Sequence, residues 1–263
     1  MPSDVVAQPR PAATVILLRD GADGPEVYVI RRHDALAFAG GATVFPGGRI
    51  DPADGDPAWA DLCPGTGDDH ASRIAAIRET FEECGLLLAR PAGGGPLIDE
   101  AAVTGVRARS GWGGESGCPP FLEQMRREGL ELAADRLLPF ARWQTPEWVH
   151  RRFDTLFFLA AAPPGQTASF DRREAVEGLW ATPRALLARA DAGTVRLVFA
   201  TRMNLMRLTA FGSVAEALAA AGRRPIRPIL PRRVDTPAGP VLRIPVDAGY
   251  DPAELPVELV RLG

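Results

Sequence analysis

The sequence contains no lysine, and all 30 of its basic residues are arginines. The formal net charge is −3, so the chain lacks the strongly basic character that proteins use to bind nucleic acid. Any phosphate contact made by a charged side chain must therefore come from arginine, which can bind a phosphate through two parallel hydrogen bonds.

Histidine and cysteine are scarce, and long apolar runs are absent. Three histidines argue against a histidine-rich zinc site. The cysteines, at positions 63, 84 and 118, have no metal-binding spacing and cannot all pair, which favours a reducing compartment. No apolar run reaches the roughly 18 residues of a membrane span, and the N-terminus has no signal-like segment. We expect a cytoplasmic protein with neither a membrane nor a nucleic-acid partner.

The chain of 263 residues is long enough for one large domain, or for a domain with an appendage. Apolar patterning predicts strands at 12–18, 27–30, 43–45, 86–89, 137–143, 153–161 and 241–246. It predicts helices at 71–84, 119–128, 183–192, 199–210 and 213–221. Strands interleaved with helices predict an α/β layered fold.

One predicted helix carries a dense acidic face. Glu79, Glu82 and Glu83 follow an i, i+3, i+4 spacing, which gathers their side chains on one side of a helix. The opposite side is apolar and carries Ile74, Ile77, Phe81 and Cys84. Like charges at this spacing repel, so the face requires a compensating cation. Oxygen ligation by carboxylates suits Mg²⁺ or Mn²⁺.

The neighbours of this face point to a site rather than to a solvated surface. Gly85 directly follows the acidic turn as a helix stop, and Arg78 is placed to orient or neutralise the glutamates. Upstream, Phe45-Pro46-Gly47-Gly48 is a strand-ending turn whose glycines allow the backbone to approach a phosphate. The alternative, a helix face that is merely exposed to water, does not account for this grouping.

Residues 78–86 read Arg-Glu-Thr-Phe-Glu-Glu-Cys-Gly-Leu and resemble the second half of the sequence box of the Nudix hydrolases. The front half of the box departs from the family. Gly48 would be the box glycine, yet 29 residues separate it from Arg78, more than twice the family spacing. His70 stands where the box has its first glutamate. Four nearby aspartates are open as substitutes for that glutamate: Asp51, Asp54, Asp68 and Asp69.

The interrupted box is similar to the Nudix branch that includes the peroxisomal coenzyme A diphosphatases. That branch also carries segments like Trp143-Gln144-Thr145-Pro146 and Arg151-Arg152-Phe153-Asp154-Thr155, which occur here in the same order. Arg32, Gly41 and the turn at 45–48 partly match a signature of relatives that cleave coenzyme A.

The resemblance implies a Nudix α/β/α sandwich around a mixed sheet, with a helical C-terminal extension. We expect residues 1–10 to be a disordered lead-in and residues 11–192 to form the Nudix domain. Within that domain we expect an inserted loop at about 51–70 and a helical insertion at about 91–136. Residues 193–263 are then the extension, packed on the same domain.

The resemblance also implies an activity: metal-dependent hydrolysis of a nucleoside diphosphate linked to another moiety, with Mg²⁺ or Mn²⁺. The favoured substrate is coenzyme A or acyl-coenzyme A, which would give 3′,5′-ADP and (acyl-)phosphopantetheine. By position, Glu79, Glu82 and Glu83 match the metal-binding and catalytic glutamates of the family. Arg78 matches the residue that holds these glutamates in place.

Further site residues follow from the same resemblance. A carboxylate from a later loop often completes such sites, and Glu174 is the first choice, with Glu177 and Glu115 as alternatives. Phosphate contacts are expected from Arg32, Arg151 and Arg152, from Arg31 with less support, and from the backbone at Gly47 and Gly48. Trp143, Trp148 and Phe153 are candidates to stack on adenine, although aromatic residues beside strands usually belong to the core.

Two other functions remain open from the sequence. One is hydrolysis of ADP-ribose, a dinucleotide or a damaged nucleotide. The other is a Nudix-fold ligand sensor that binds without cleaving, an alternative supported by His70 at the position of the first box glutamate. In either case the partner is a small-molecule nucleotide, and a homodimer is left open.

Overall fold

The computed structural model of the protein describes residues 7–36, 39–65, 67–112, 120–171, 174–223 and 225–259. In chain order the strands are β1 (Arg10–Gly21), β2 (Gly24–Arg32), β3 (Thr43–Val44), β4 (Gly47–Arg49), β5 (Ala89–Pro91), β6 (Leu130–Leu132), β7 (Leu138–Gln144), β8 (Phe153–Ala161), β9 (Ala175–Ala181), β10 (Pro228–Ile229), β11 (Arg232–Thr236), β12 (Gly239–Arg243) and β13 (Glu254–Pro256). The α-helices are α1 (His70–Cys84), α2 (Glu100–Ser110), α3 (Phe121–Glu128), α4 (Pro183–Asp191), α5 (Phe199–Leu208) and α6 (Val214–Ala220).

Eight of these strands form one mixed sheet in the order β10-β7-β8-β1-β2-β3, with β4 also paired to β1 and β9 to β2. β1 runs parallel to β8 and antiparallel to β2. β1 changes its partner along its length: residues 18–21 pair with β2, whereas residues 12–14 pair with β4. The sheet therefore splays at the start of β1, and the functional site described below lies beside this point.

Helices cover both faces of the sheet. One hydrophobic core joins inward residues of β1 to α1, α2 and α3. A second core joins the other face of β1 to α4, α5, α6 and the C-terminal strands. This is the predicted α/β/α sandwich, and the prediction is confirmed. Among the described residues, no helix has the combined length and apolar character that crossing a membrane would require.

The predicted hairpin and the predicted acidic helix are both present. β1 and β2 are joined by a two-residue turn, with Gly21 paired to Gly24. α1 begins at His70 and ends at Cys84, and Gly85 follows in the left-handed conformation with φ 66°. Only glycine adopts this conformation without steric cost, so Gly85 is the helix stop expected from the sequence.

The strand predicted at 86–89 is wrong. Residues 86–88 are buried but lie outside any strand, and β5 begins only at Ala89. The backbone of Leu87 is satisfied by a side chain instead of a neighbouring strand: its N–H donates to Oε1 of Gln166, and its carbonyl accepts from Nε2. Apolar composition indicated burial correctly, but burial alone does not specify a strand partner.

Three segments differ from their expected character. The extension is helical in α5 and α6 but then forms β10 to β13, so the expectation of a purely helical extension fails after residue 220. The lead-in does not reach residue 10, because β1 starts at Arg10 and the carbonyl of Ala7 accepts a hydrogen bond from Arg152. The inserted loop contains three single-turn 3₁₀ helices, and its Trp59 is buried against Phe121.

Candidate active site

A cavity of about 600 Å³ lies beside the splayed start of β1. Alternating residues of β1 and β8 line it, because residues two apart on a strand face the same side of a sheet. These residues are Arg10, Ala12 and Thr14 on β1 and Phe153, Thr155 and Phe157 on β8. The lining also includes Gly47, Gly48, Glu79, Arg32 and Glu174, all of them expected site residues. The cavity therefore brings together most of the functional residues that the sequence indicated.

The Gly47-Gly48 turn packs directly against the glutamates of α1. The N–H of Gly47 donates to Oε2 of Glu83 at 2.8 Å. A Cβ atom at Gly48 would lie 2.4 Å from the carboxyl carbon of Glu79, and one at Gly47 would lie 2.4 Å from the carbonyl oxygen of Ala13. At Gly47 the neighbour is backbone, so a side chain is excluded, whereas at Gly48 a side chain would displace the carboxylate of Glu79. The paired glycines therefore let the backbone approach the carboxylates.

Arg78 donates the hydrogen bonds that connect the carboxylates near this turn. Its guanidinium binds both carboxylate oxygens of Asp54, each at 2.9 Å, as well as Glu79 at 2.8 Å and Glu82 at 3.0 Å. It also donates to the carbonyl oxygen of Arg49 at 3.0 Å. Burial lowers the pKa of Arg78, but the hydrogen bond to Asp54 and the surrounding carboxylates outweigh that effect and raise it. Arg78 is thus a fixed cation that orients two of the predicted metal-binding glutamates.

Asp54 is the one of the four open aspartates that reaches Arg78 from a buried position, with 2% of its surface exposed. Asp51 lies 3.8 Å from Arg78 and its side chain is half-exposed. Asp69 instead pairs with Arg73 at 2.8 Å, and Asp68 is exposed in the turn before α1. The inserted loop therefore brings a buried acidic group to Arg78, whereas His70 is the first residue of α1.

The three glutamates of α1 differ in exposure and in proton affinity. Burial raises the pKa of Glu79 to about 7, partly offset by Arg78. Glu83 is buried, and both its burial and the neighbouring charge of Glu79 raise its pKa well above the usual range. Glu82 is half-exposed at its side chain, and partial burial raises its pKa. In each case burial is the main cause of the raised pKa, and neighbouring carboxylates add to it.

In the part of the chain that the structure describes, Arg78 and Arg32 are the arginines that form ion pairs with these glutamates. Arg78 is occupied by Asp54, and Arg32 lies 3.5 Å from Glu83 and 3.4 Å from Glu174. Among the described residues, no three candidate ligands are already gathered closely enough to hold a metal ion. The donor set is nevertheless composed of carboxylate oxygens that lack compensating charge. These residues fit a hard divalent cation in both chemistry and charge.

The candidates for the additional carboxylate differ in their position relative to the cavity. Glu174 lines the cavity, and its charge acts on both Glu79 and Glu83. Asp171 accepts hydrogen bonds from the N–H groups of Glu174 and Ala175 and so holds the backbone at these two residues. Glu177 lies 3.7 Å from Arg31 in a different, smaller pocket. Glu115 falls outside the described residues.

Of the paired arginines at 151 and 152, only Arg151 lines the cavity. Arg152 is buried, with 7% of its surface exposed. Its guanidinium donates to the carbonyl oxygens of Thr145 and Ala7. The structure therefore does not bring Arg152 to the cavity, and the expected phosphate contact is corrected to a structural one that ties the 145–152 loop to the N-terminal segment.

The candidate stacking residues fall into two groups. Trp143 and Phe153 line the cavity, and Trp143 is buried with its ring edge-on to Phe199 and Tyr250. Trp148 is half-exposed in the loop that follows Pro146. The apolar lining continues into the C-terminal region through Val198, Phe199, Ala200 and Pro231. Sequence reasoning missed this contribution, because nothing local marks these residues as part of a cavity.

Two further residues of the box helix have structural roles. Cys84 is buried as expected, and burial raises the pKa of its thiol. Thr80, which stands where the family has an aliphatic residue, is fully buried. Its hydroxyl donates to the carbonyl oxygen of Ala76 at 2.7 Å, which satisfies the polar group inside the core.

The sequence is similar to a known family and to known proteins. Residues 65–208, more than half of the chain, match the family described as the NUDT19 Nudix domain. The chain is 28% identical over 237 residues to the acyl-coenzyme A diphosphatase NUDT19 of Gallus gallus, covering 72% of this chain and 62% of that protein. It is 29% identical over 215 residues to the Homo sapiens protein of the same name, covering 62% of this chain and 54% of that protein. The chain therefore spans about three fifths or less of these relatives' lengths.

The fold of this protein is similar to that of a solved structure. A NUDIX hydrolase from Alicyclobacillus acidocaldarius superposes with a TM-score of 0.68 at 30% sequence identity, covering 84% of this chain and 100% of that one. The mixed sheet, the box helix and the two covering layers described above agree with this likeness. The protein accordingly belongs to the Nudix family, in the group defined by the NUDT19 Nudix domain.

Proposed function

We propose that this protein is a metal-dependent Nudix pyrophosphohydrolase whose substrate is coenzyme A or acyl-coenzyme A, cleaved to 3′,5′-ADP and (acyl-)phosphopantetheine. The observation that carries the proposal is the contact of Glu79 and Glu83 with the Gly47-Gly48 turn, beside a cavity that Glu174 also lines and that has apolar walls. The acyl-coenzyme A diphosphatase names of the matched relatives support the choice of substrate.

We assign separate roles to the glutamates and the arginines of the site. Glu79, Glu82 and Glu83 would hold a divalent ion, Mg²⁺ or Mn²⁺. When bound, the ion would neutralise diphosphate oxygens and lower the pKa of a coordinated water. Arg78 and Asp54 keep Glu79 and Glu82 oriented. Arg32 lies between Glu83 and Glu174, within reach of a diphosphate that entered the cavity.

The reaction is the addition of water to one phosphorus of the diphosphate, with cleavage of the bridging phosphorus–oxygen bond and departure of a phosphate monoester. Such chemistry depends mainly on positioning and charge neutralisation. Glu174 is our candidate to accept the proton of the attacking water, because its side chain is half-exposed and lines the cavity. The apolar lining would receive the remainder of the substrate.

The test is a hydrolysis screen with Mg²⁺ and with Mn²⁺ over coenzyme A, acetyl-coenzyme A, ADP-ribose, NADH and nucleoside triphosphates, with products separated by chromatography. We expect 3′,5′-ADP and a phosphopantetheine from the first two substrates at the highest kcat/KM. Glu83→Gln should reduce turnover by orders of magnitude without unfolding the protein. The exposed Glu147→Gln is the matched control.

Two other results of the hydrolysis screen would change the proposed function. Metal-dependent cleavage of ADP-ribose or NADH at the best efficiency would keep the mechanism and replace the substrate. Binding of nucleotides without cleavage of any of them would favour the ligand sensor, and His70→Glu would then be the first variant to test for a gain of activity.

A further inference from the structure

Three arginines line the same cavity as the acidic site without being neutralised. Arg10, Arg49 and Arg151 are exposed, and none of them forms an ion pair with any residue that the structure describes. We call these three residues the arginine cluster. Most of the other arginines that the structure describes are paired with carboxylates or with backbone carbonyls. Three unpaired ones on one cavity therefore form a local excess of positive charge.

The sheet register places the members of the cluster side by side. Arg49 on β4 pairs with Ala12 on β1, and Ala12 lies two residues after Arg10 on the same face. Arg10 and Arg49 are therefore diagonal neighbours, about 7 Å apart at their Cβ atoms. Arg10 pairs with Phe153 on β8, two residues after Arg151, and its N–H donates to the carbonyl of Arg152. All three side chains thus start near the beginning of β1.

The cluster is separated from the glutamates by a defined step along the sheet. Gly48, at which an added Cβ would meet the carboxylate of Glu79, pairs with Ala13. Arg10 lies three residues before Ala13, which corresponds to about 10 Å along a strand. The phosphate groups on the 5′ and 3′ oxygens of one ribose lie closer together than this, and the long arginine side chains cover the remaining distance. A nucleotide whose diphosphate sits at Glu79 could therefore place a second phosphate group among the three guanidinium groups.

We propose that the arginine cluster of Arg10, Arg49 and Arg151 binds a phosphate monoester carried by the nucleoside part of the substrate, separately from the diphosphate at the acidic site. This inference rests on the proposed function and sharpens it. It assigns the 3′-phosphate of coenzyme A to this end of the cavity and leaves the apolar lining to the other arm. Arginine suits this role because its planar guanidinium binds phosphate oxygens through two hydrogen bonds.

The test compares ligands that differ only by that phosphate. Isothermal titration calorimetry would measure the affinities of 3′,5′-ADP and 5′-AMP for the full chain and for Arg10→Gln, Arg49→Gln and Arg151→Gln. We expect the full chain to bind 3′,5′-ADP at least about tenfold more tightly, since hydrogen bonds to charged groups are among the stronger ones. Each variant should lose most of this preference while its affinity for 5′-AMP changes less than about twofold.

Kinetics provide a second, independent readout. The ratio of kcat/KM for coenzyme A to that for 3′-dephospho-coenzyme A should fall in the three variants and stay unchanged in Arg127→Gln. Arg127 is the matched control, because it is an exposed arginine on α3 that does not line the cavity. Lysine at each cluster position keeps the charge and should restore part of the preference, and thermal unfolding would confirm that every variant is folded.

The outcomes separate this inference from the proposed function. Equal affinity for 3′,5′-ADP and 5′-AMP, or an equal loss of both in the variants, would overturn the arginine cluster as a phosphate site even if coenzyme A is cleaved. A preference for 3′,5′-ADP that the variants abolish would support the cluster even if the protein proves to cleave a different diphosphate, in which case only the proposed substrate is replaced.

Discussion

Asp54 and Arg78 form the buried ion pair on which the order of the glutamates depends. Asp54→Ala would leave the guanidinium of Arg78 buried without its main partner, and we expect a loss of roughly 3 kcal/mol in the free energy of unfolding. Glu79 and Glu82 would also lose their fixed orientation, so the affinity for Mn²⁺ should fall. Denaturant titration and calorimetric titration with Mn²⁺ would measure the two effects.

Asp51→Ala is the matched control for this change. Asp51 lies in the same loop and is 3.8 Å from Arg78, but its side chain is half-exposed. Exposed ion pairs contribute about 1 kcal/mol or less, so both readouts should change little. If Asp54→Ala were no more damaging than Asp51→Ala, Asp54 could not be the residue that takes the place of the first box glutamate.

Glu79 makes the stability of the metal-free protein depend on pH. Its pKa is about 7 in the fold, raised by burial, against an ordinary value of 4.5. Between these values the folded state holds a proton that the unfolded state has released. The stabilisation is therefore present below pH 4.5 and is lost as the pH rises through about 7, with a slope of up to about 1.4 kcal/mol per pH unit.

Thermal unfolding in the presence of a chelator, between pH 4.5 and pH 8, would measure this dependence. Glu79→Gln should reduce the slope without abolishing it, because the pKa of Glu83 is raised as well. Added Mg²⁺ or Mn²⁺ should stabilise the protein more at pH 8 than at pH 5, since the ion competes with protons for the same carboxylates. A slope unchanged by Glu79→Gln would contradict the buried position of this carboxylate.

At this scale the sequence identified residue types better than residue roles. The sequence identified Glu79, Glu82 and Glu83 as site residues because three carboxylates on one helix face need a compensating cation. It also placed Arg78 beside them. It could not choose among four aspartates, since residues 51–70 have no periodicity that would reveal which of them is buried. It also treated Arg151 and Arg152 alike, although Arg151 lines the cavity and Arg152 is buried against backbone carbonyls.

At the scale of elements, β4 brings backbone against α1 through Gly48. Gly48→Ala would place a methyl group 2.4 Å from the carboxyl carbon of Glu79. The flexible end of Glu79 would have to move, so we expect weaker Mn²⁺ binding and turnover reduced by about tenfold or more, with a stability loss of about 1–3 kcal/mol. Calorimetric titration with Mn²⁺, a coenzyme A hydrolysis assay and denaturant unfolding would test this.

Gly55→Ala provides the comparison. Gly55 lies in a 3₁₀ helix of the inserted loop, and an added Cβ would meet only the Cβ of Ala71 at 4.0 Å. Metal affinity should therefore stay the same in this variant. Equal effects of the two substitutions would mean that the close approach of Gly48 to Glu79 does not matter for the site.

Elements with a strong local signal were predicted, and elements defined by distant partners were not. α1 was found because its apolar and acidic faces repeat with helical spacing, and β8 because it is a continuous apolar run. β9 was missed: residues 175–181 read as a loop before a helix, and they form a strand only because β2 offers an edge. Likewise, Gln166 could not be foreseen as the partner of Leu87, 79 positions away in the chain.

At the scale of the whole molecule, the C-terminal region completes the cavity. Val198, Phe199, Ala200 and Thr201, at the start of α5, line it together with Pro231. The same region packs on the sheet through a shared hydrophobic core. The Nudix box and the residues after 192 therefore act as one unit, in which the box supplies charge and the C-terminal region supplies part of the apolar wall.

This arrangement predicts that substrate preference can be changed from α5 without touching the acidic site. Ala200→Trp would fill part of the apolar lining. We expect kcat/KM for a long-chain acyl-coenzyme A to fall by about tenfold, because displaced apolar contacts and steric conflict cost on the order of 1–3 kcal/mol. kcat/KM for free coenzyme A should change much less, since it has no acyl chain to accommodate.

Hydrolysis assays with acyl chains of increasing length would measure this effect, with Ala215→Trp on the exposed side of α6 as the control. A chain-length dependence that appears in Ala200→Trp alone would assign the apolar wall to the acyl arm. If Ala200→Trp instead lowered kcat/KM equally for every chain length and for free coenzyme A, the wall at α5 would have to contact a part that all these substrates share. The acyl arm would then lie outside the part of the cavity that α5 forms.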